Sequence, residues 1–418
     1  MRLRPNRLFA CLLLSIAALA GQTAPARAAL PREVPTLSVA VKLGQKQVVL
    51  GSTRGFSIVD PSRNRVLRKF PAGGRVRLRS RGHGIAYGKM TLLRLVVRPA
   101  SGSLLQLDGQ SYRGTFEIRE ETGGKICVAN VLDVESYLYG VVKSEMPAAA
   151  PLEAMKTQAI ISRTFALKNR DNFSQRGFGL KATEESQVYS GVRGESPEAR
   201  RAVDETRGVV MSYAGQLASI FYSAVCGGST ESNDVVWGGR PEPYLQPVAC
   251  SYCRVYPNFH WQVDLTFDEV ARKLRAAGVP VGQIQSIELQ QSPSGRIRGL
   301  RIQSSRGEVI VPGNKFRMAM GHRRVKSQRF TLTRQLASAE LREDFPEAAI
   351  RQIIHDYIQE NLTADRTNSA GRLRIMGTGF GHGVGLCQWG AKTMAEQGQD
   401  SREILHYYFR GTRLARAY

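Results

Sequence analysis

"GVVKSEMPAAAPLEAMKTQAIISRTFAL", residues 140–167, sets one carboxylate, Glu145, just ahead of Met146, Pro147 and a run of alanines. Beyond the alanines, Leu152, Met155, Ala159, Phe165 and Ala166 roughly follow helical spacing, and Pro151 suits a first helical turn. A lone Glu ahead of a helix has two readings. It is a helix-start carboxylate, favoured there by the macrodipole, or a general acid on a loop whose backbone is open to ligand.

Working outward, the chain towards the N-terminus reads as short strands. "LSVAVKLG", "QVVLGS", "GFSIVD", "RVRLRS", "LLRLVVRP" and "GTFEIRE" are separated by Gly, Asp-Pro and Gly-Gly turns. They predict a β-rich N-terminal module over residues 36–120. Past the quoted stretch, "PEARRAVDETRGVVMSYAGQLASIFYSAV" predicts a helix and two strands joined at "YAGQ". Residues 261–335 combine "VDLTFDEVARKLRAAG", a Thr-capped helix, with alternating segments of a small antiparallel sheet. This is an inserted α/β subdomain within a mixed α/β core, whose two parts are 121–260 and 336–418. "ASAELREDFPEAAIRQIIHDYIQENL" predicts helix split by Pro346, and the chain ends in a glycine-rich loop and two short helices. The fold class is α+β.

The 418 residues, 42% hydrophobic and 22% charged, describe a folded chain. Its net charge of +24 favours a polyanionic partner. The basic residues are scattered and no nucleic-acid motif is present, which argues against nucleic acid. Arg2, Arg4 and Arg7 precede an apolar run from Leu8 to Ala20, and Ala26-Arg27-Ala28 fits a small-x-small cleavage site. Residues 1–28 therefore predict an export signal. No other segment is long and apolar enough to span a bilayer, and the mature chain is expected in the periplasm, outside the cell or in the wall.

Five cysteines remain after residue 28: Cys127, Cys226, Cys250, Cys253 and Cys387. Cys250-x-x-Cys253, with Cys226 and the nearby His260, has the spacing of a structural zinc site. The compartment also permits a disulfide, and free thiols are a third reading, but three local cysteines fit a metal better than they fit a pair. In "GFGHGVGLCQWGA", Gly379, Gly381, Gly383 and Gly385 alternate around His382 and admit a ligand or another backbone closely. His382 is a site residue or a hydrogen-bonded structural one. Gln388 and Trp389 offer a sugar an amide and an apolar ring face.

These stretches resemble the SpoIID/LytB family. The resemblance is carried by "NVLDVESYLYGVVKSEMPAAAPLEAMKTQAIISRTFAL", "SQVYSGV", "ETRGVVMSYAGQLASIFYSAVCGGSTES", "VWGG" with "PYL", and "GFGHGVGLCQWGAKTMAEQGQDSREILHYYFRGT". It implies a peptidoglycan lytic transglycosylase, or a non-catalytic enhancer of a cell-wall amidase. The acid of the "EMP" motif falls on Glu145. Arg163, Gln187, Tyr189, His382, Gln388 and Trp389 are the implied glycan contacts. A structural Zn²⁺ is implied near "GG-x-T", with sulfurs from Cys226, Cys250 and Cys253 and His260 as the candidate fourth ligand. Ser223 and Ser229 stand where relatives carry His, and Cys387 replaces a small or hydroxyl residue. A hydrolase with Glu184 or Glu185 as second carboxylate is the remaining alternative.

Overall fold

The computed structural model describes residues 33–121, 123–335 and 372–418. The expected signal segment and the helical run around Pro346 lie outside the described residues. The described part is α+β, as its patterning predicts.

All six stretches with period-2 alternation form strands, among them Thr36–Gln45, Gln47–Ser52, Arg75–Ser80 and Thr115–Glu121. Together with further strands they assemble into a seven-stranded and a six-stranded sheet. Val39, Leu50, Ile58, Leu78, Val97, Phe116 and Ile118 turn inward and are essentially fully buried. The strand Lys125–Asp133 pairs antiparallel with both Thr36–Gln45 and Thr115–Glu121. The boundary expected near residue 120 therefore falls inside a β-hairpin.

That strand runs directly into the first helix, α1 (Val134–Glu145), where the Asp133 side chain caps the Ser136 N–H at 2.9 Å. Val134, Leu138, Val141 and Val142 bury the inner stripe of α1 in the same core as the sheets. Gly140 lets α1 approach its neighbour: a Cβ there would lie 2.7 Å from the Tyr189 ring and 2.8 Å from the Gly191 carbonyl. The second helix, α2 (Leu152–Lys168), starts after Pro151 as its spacing predicts.

A second core gathers Ile160 and Ile161 of α2 with Val225, Cys226, Leu386 and the C-terminal helices Gln388–Glu396 and Ser401–Tyr408. A third lies between the helices Phe267–Ala276 and Gly313–Met320 and the three-stranded sheet Ile284–Gln291, Ile297–Ser304 and Gly307–Pro312. It also takes in Leu373 and Ile375, because Arg372–Thr378 pairs with both His260–Thr266 and Phe330–Gln335. The strand Arg372–Thr378 then delivers the chain to the glycine loop.

Candidate active site and cysteine centre

Glu145 is the last residue of α1, not a residue ahead of α2. The helix stops there because Met146 turns to extended backbone and its N–H closes on the Val142 carbonyl at 3.1 Å. This corrects the helix-start reading. At a C-terminus the helix field opposes a negative charge.

One oxygen of the carboxylate, Oε1, accepts the Val188 N–H at 2.6 Å. A relay of side chains also ends on this carboxyl. Tyr137 donates to Gln187 Oε1 (3.3 Å), Gln187 Nε2 donates to the Tyr222 hydroxyl (3.2 Å), and that hydroxyl bonds to Glu145. Desolvation is the largest influence and pushes the Glu145 pKa up to about 7. The Val188 and Tyr222 hydrogen bonds pull it down, and the Glu184 charge adds to the rise. Glu145 as a residue is only partly buried, while its carboxyl is strongly desolvated. It is an acid that holds its proton close to neutral pH.

The expected glycan contacts divide. Gln187 is fully buried inside the relay, so it positions Glu145 through Tyr222. Gln388 is buried too, and its Nε2 donates to the Glu145 backbone carbonyl at 2.7 Å. Tyr189 is a core residue whose hydroxyl donates to Asn130 Oδ1 at 2.8 Å. Arg163 is corrected outright as a glycan contact. Fully buried, it makes a bidentate pair with Glu135 (3.0 and 2.7 Å) and donates to the Val209 and Val203 carbonyls. It has no exposed edge to offer a sugar.

His382 and Trp389 remain half-buried. His382 Nδ1 accepts the Val384 N–H at 3.0 Å, and the ring also bonds to the Tyr222 backbone. Burial, then the Arg296 and Arg317 charges, push its pKa down to about 3, so the imidazole is neutral. Its neighbour at 5.0 Å is the Trp237 ring, 45% exposed. Nothing local in "VWGG" marks this tryptophan as part of the site.

The glycine loop is laced to the segment 222–231. Tyr222–Ser223 pairs parallel with Leu386–Cys387, Val225 bridges Phe380, and Glu231 bridges Val384. Gly379 (φ +84°) permits this approach, since a Cβ would lie 2.7 Å from both the Gly227 nitrogen and the Val225 carbonyl. The lacing carries Cys387 to the other cysteines. The sulfurs of Cys226, Cys250, Cys253 and Cys387 all lie within 4.8 Å of one another, and all four residues are buried. None is in a disulfide.

Four sulfurs around a tetrahedral zinc would stand roughly 3.8 Å apart, given a Zn–S bond of about 2.3 Å. Cys226 and Cys253 are 3.5 Å apart. The donor set fits such an ion. The Cys226 N–H donates to Cys387 Sγ at 3.2 Å, a contact that suits a thiolate. Arg296 supplies compensating charge. It is fully buried, its Nε and Nη1 have no hydrogen-bond partner, and its charge acts on Cys226 and Cys387. His260 is not in the cluster; it is exposed at the head of its strand, and Cys387 takes the place expected of it.

The SpoIID family model, described as Stage II sporulation protein, matches residues 122–213. A second model, a domain of unknown function (DUF8618), matches residues 251–385. An uncharacterized protein of Brachyspira hyodysenteriae is 32% identical over 309 residues, covering 73% of this chain and 72% of that protein. The Bacillus subtilis amidase enhancer is 27% identical, over 75% of this chain and 45% of its own length. Stage II sporulation protein D of the same organism is 26% identical, over 68% and 75% respectively.

Proposed function

The chain belongs to the SpoIID/LytB family, and from that premise we propose that it is an exported, cell-wall lytic transglycosylase acting on peptidoglycan glycan strands. The observation that carries this reading is the Glu145 carboxyl, held protonated up to about pH 7 on a residue that is only partly buried. Such a group donates its proton to the glycosidic oxygen between MurNAc and GlcNAc as the C1–O bond breaks. The carboxylate left behind takes the proton of the same sugar's C6 hydroxyl. The C6 oxygen bonds to C1, closing a 1,6-anhydro ring. The proton is back on Glu145, and no water is consumed.

The Val188 N–H and Tyr222 hydroxyl stabilise the carboxylate between the two transfers. Gln388 fixes the backbone that carries it. Trp237, beside the neutral His382, presents an exposed ring face for a sugar. Neither Glu184 nor Glu185 is needed as a base, and Glu185 is paired with Lys181.

Cys226, Cys250, Cys253 and Cys387 are proposed to hold one structural Zn²⁺, which would brace this part of the fold. Tyr222 lies four residues before Cys226, and Gln388 directly follows Cys387. The brace therefore supports both side chains that fix Glu145. Among the described residues no helix is long and apolar enough to cross a membrane.

A second reading, a wall-binding activator of an amidase without turnover of its own, is favoured by the match to the amidase enhancer over 75% of this chain. Purified protein incubated with isolated glycan strands separates the two. Anhydro-ended products by mass spectrometry support the enzyme. No cleavage, with stimulation of an added amidase, supports the activator.

A further inference from the structure

Residues 36–120 hold sixteen lysines and arginines against four acids. Most of these cations are spread around the two sheets, but three form a row. In the strand Arg75–Ser80, Arg75, Arg77 and Arg79 point outward and are exposed, while Leu78 is buried. Guanidinium groups two strand residues apart recur every ~6.8 Å. Among the described residues no carboxylate pairs with any of the three.

A cleft of about 410 Å³ opens beside the row, walled by Arg75, Gln106 and Asp108 and floored by Gly51. Asp108 is already engaged, by the Val49 N–H at 2.9 Å and by Lys42 at 3.5 Å. Gly51 lies opposite Arg75 on one side and Gln106 on the other. Its φ is not positive, so the backbone does not demand glycine there. A Cβ would instead project between Gln106 Oε1 (3.2 Å) and Arg75 Cγ (3.6 Å). Its missing side chain keeps the cleft open.

We propose that this face binds a linear phosphodiester polyanion of the polyol-phosphate class, its phosphates spaced to meet successive arginines. Arginine suits that partner because its planar fork takes two oxygens of a phosphate at once. The rest of the face adds no contact that would favour two other polyanions. Across the neighbouring strands, the residues aligned with the arginines are Gln47, Val49, Gly51, Gln106, Ala86 and Thr91. None is an aromatic on which a nucleic-acid base could stack. None is a large apolar side chain to insert into a lipid surface. Leu93, 69% exposed, lies off the row beyond the edge strand Met90–Leu92.

The site is remote in sequence from Glu145, and the proposal does not depend on the reading of that residue. The test is fluorescence anisotropy with labelled poly(glycerol phosphate), using the mature full chain. Wild type should bind with an affinity that falls steeply with salt, by a log–log slope of about −0.7 per phosphate contact. Arg75→Gln/Arg77→Gln/Arg79→Gln should weaken binding at least tenfold and flatten the slope by about 2. Gly51→Thr, which keeps every charge but fills the cleft, should also weaken it. Thermal midpoints and cleavage of short soluble glycans should stay at wild-type values. If the triple variant does not fold, Arg77→Gln alone should flatten the slope by ~0.7. Unchanged binding in these variants overturns the proposal. So does equal, arginine-dependent binding of single-stranded DNA or of anionic phosphatidylglycerol vesicles.

Discussion

The Val188 N–H meets Glu145 Oε1 at 2.6 Å while desolvation holds the same carboxyl near a pKa of 7. The hydrogen bond favours the charged form and burial the neutral form, and burial wins. This balance has consequences for pH in both activity and stability.

For activity, the form that starts the reaction is protonated. Glycan cleavage, followed as kcat/KM, is expected to fall above about pH 7, approaching tenfold per pH unit. A profile flat from pH 6 to 9 would disagree.

For stability, the ordinary carboxyl value is 4.5. Between pH 4.5 and about 7 the folded chain holds a proton that the unfolded chain has released. Stability from this group is therefore greatest below pH 4.5 and declines as pH rises to about 7. Glu145→Gln removes that dependence. Its thermal midpoint relative to wild type should climb between pH 5 and 8; parallel curves would show that Glu145 is not desolvated.

Tyr222 tunes the acid from 77 residues away in the chain. Tyr222→Phe removes a donor that favours the carboxylate, so the Glu145 pKa should rise further. The alkaline limb of the pH–rate profile should move to higher pH, while the maximal rate drops because the carboxylate needed for the second proton transfer is less stable. A drop in rate with no displacement of the limb would mean that Tyr222 acts elsewhere.

At the cysteine centre, purified protein is expected to carry about one zinc, and chelation should lower its thermal midpoint. Cys387→Ser should lose metal to a competing chelator much faster than wild type, whereas His260→Ala should not. Arg296→Met, which leaves the thiolate charge uncompensated, should also weaken retention, by about tenfold or more. Equal retention in Cys387→Ser would remove Cys387 from the ligand set.

Arg163 separates a structural role from substrate contact. Breaking its buried pair with Glu135 should cost about 3–5 kcal/mol of stability. Arg163→Met should accordingly unfold at lower denaturant concentration, with KM for glycan unchanged in the fraction that folds. A raised KM at full stability would restore the glycan-contact reading.

Much of this was legible where the signal is local. Period-2 alternation marks the N-terminal strands, because one face of each is buried. The helical spacing after Pro151 marks α2, and the alternating glycines mark a loop that another backbone approaches. The helix α1 was equally open to reading: Asp133 caps it, and Val134, Leu138, Val141 and Val142 follow at helical spacing. Missing it put Glu145 at the wrong end of a helix. Tyr222 and the place of Cys387 were harder, because a parallel pairing of two-residue strands 164 residues apart brings them in. Nothing local marks such a pairing. Arg163, Gln187 and Tyr189 have polar groups that suit a sugar, yet each satisfies them inside the protein. Sequence cannot distinguish an outward from an inward hydrogen bond.

The central claim, that Glu145 is the one acid and base, is tested most directly by digesting isolated glycan strands with wild type and with Glu145→Gln and weighing the products. Glutamine keeps the shape of the side chain but can neither give the proton nor take it back. Wild type should release 1,6-anhydro ends, each lighter by one water than a hydrolytic end. Glu145→Gln should bind the strands and lose at least ~10²-fold in cleavage rate. Anhydro ends formed by Glu145→Gln at the wild-type rate would contradict the account.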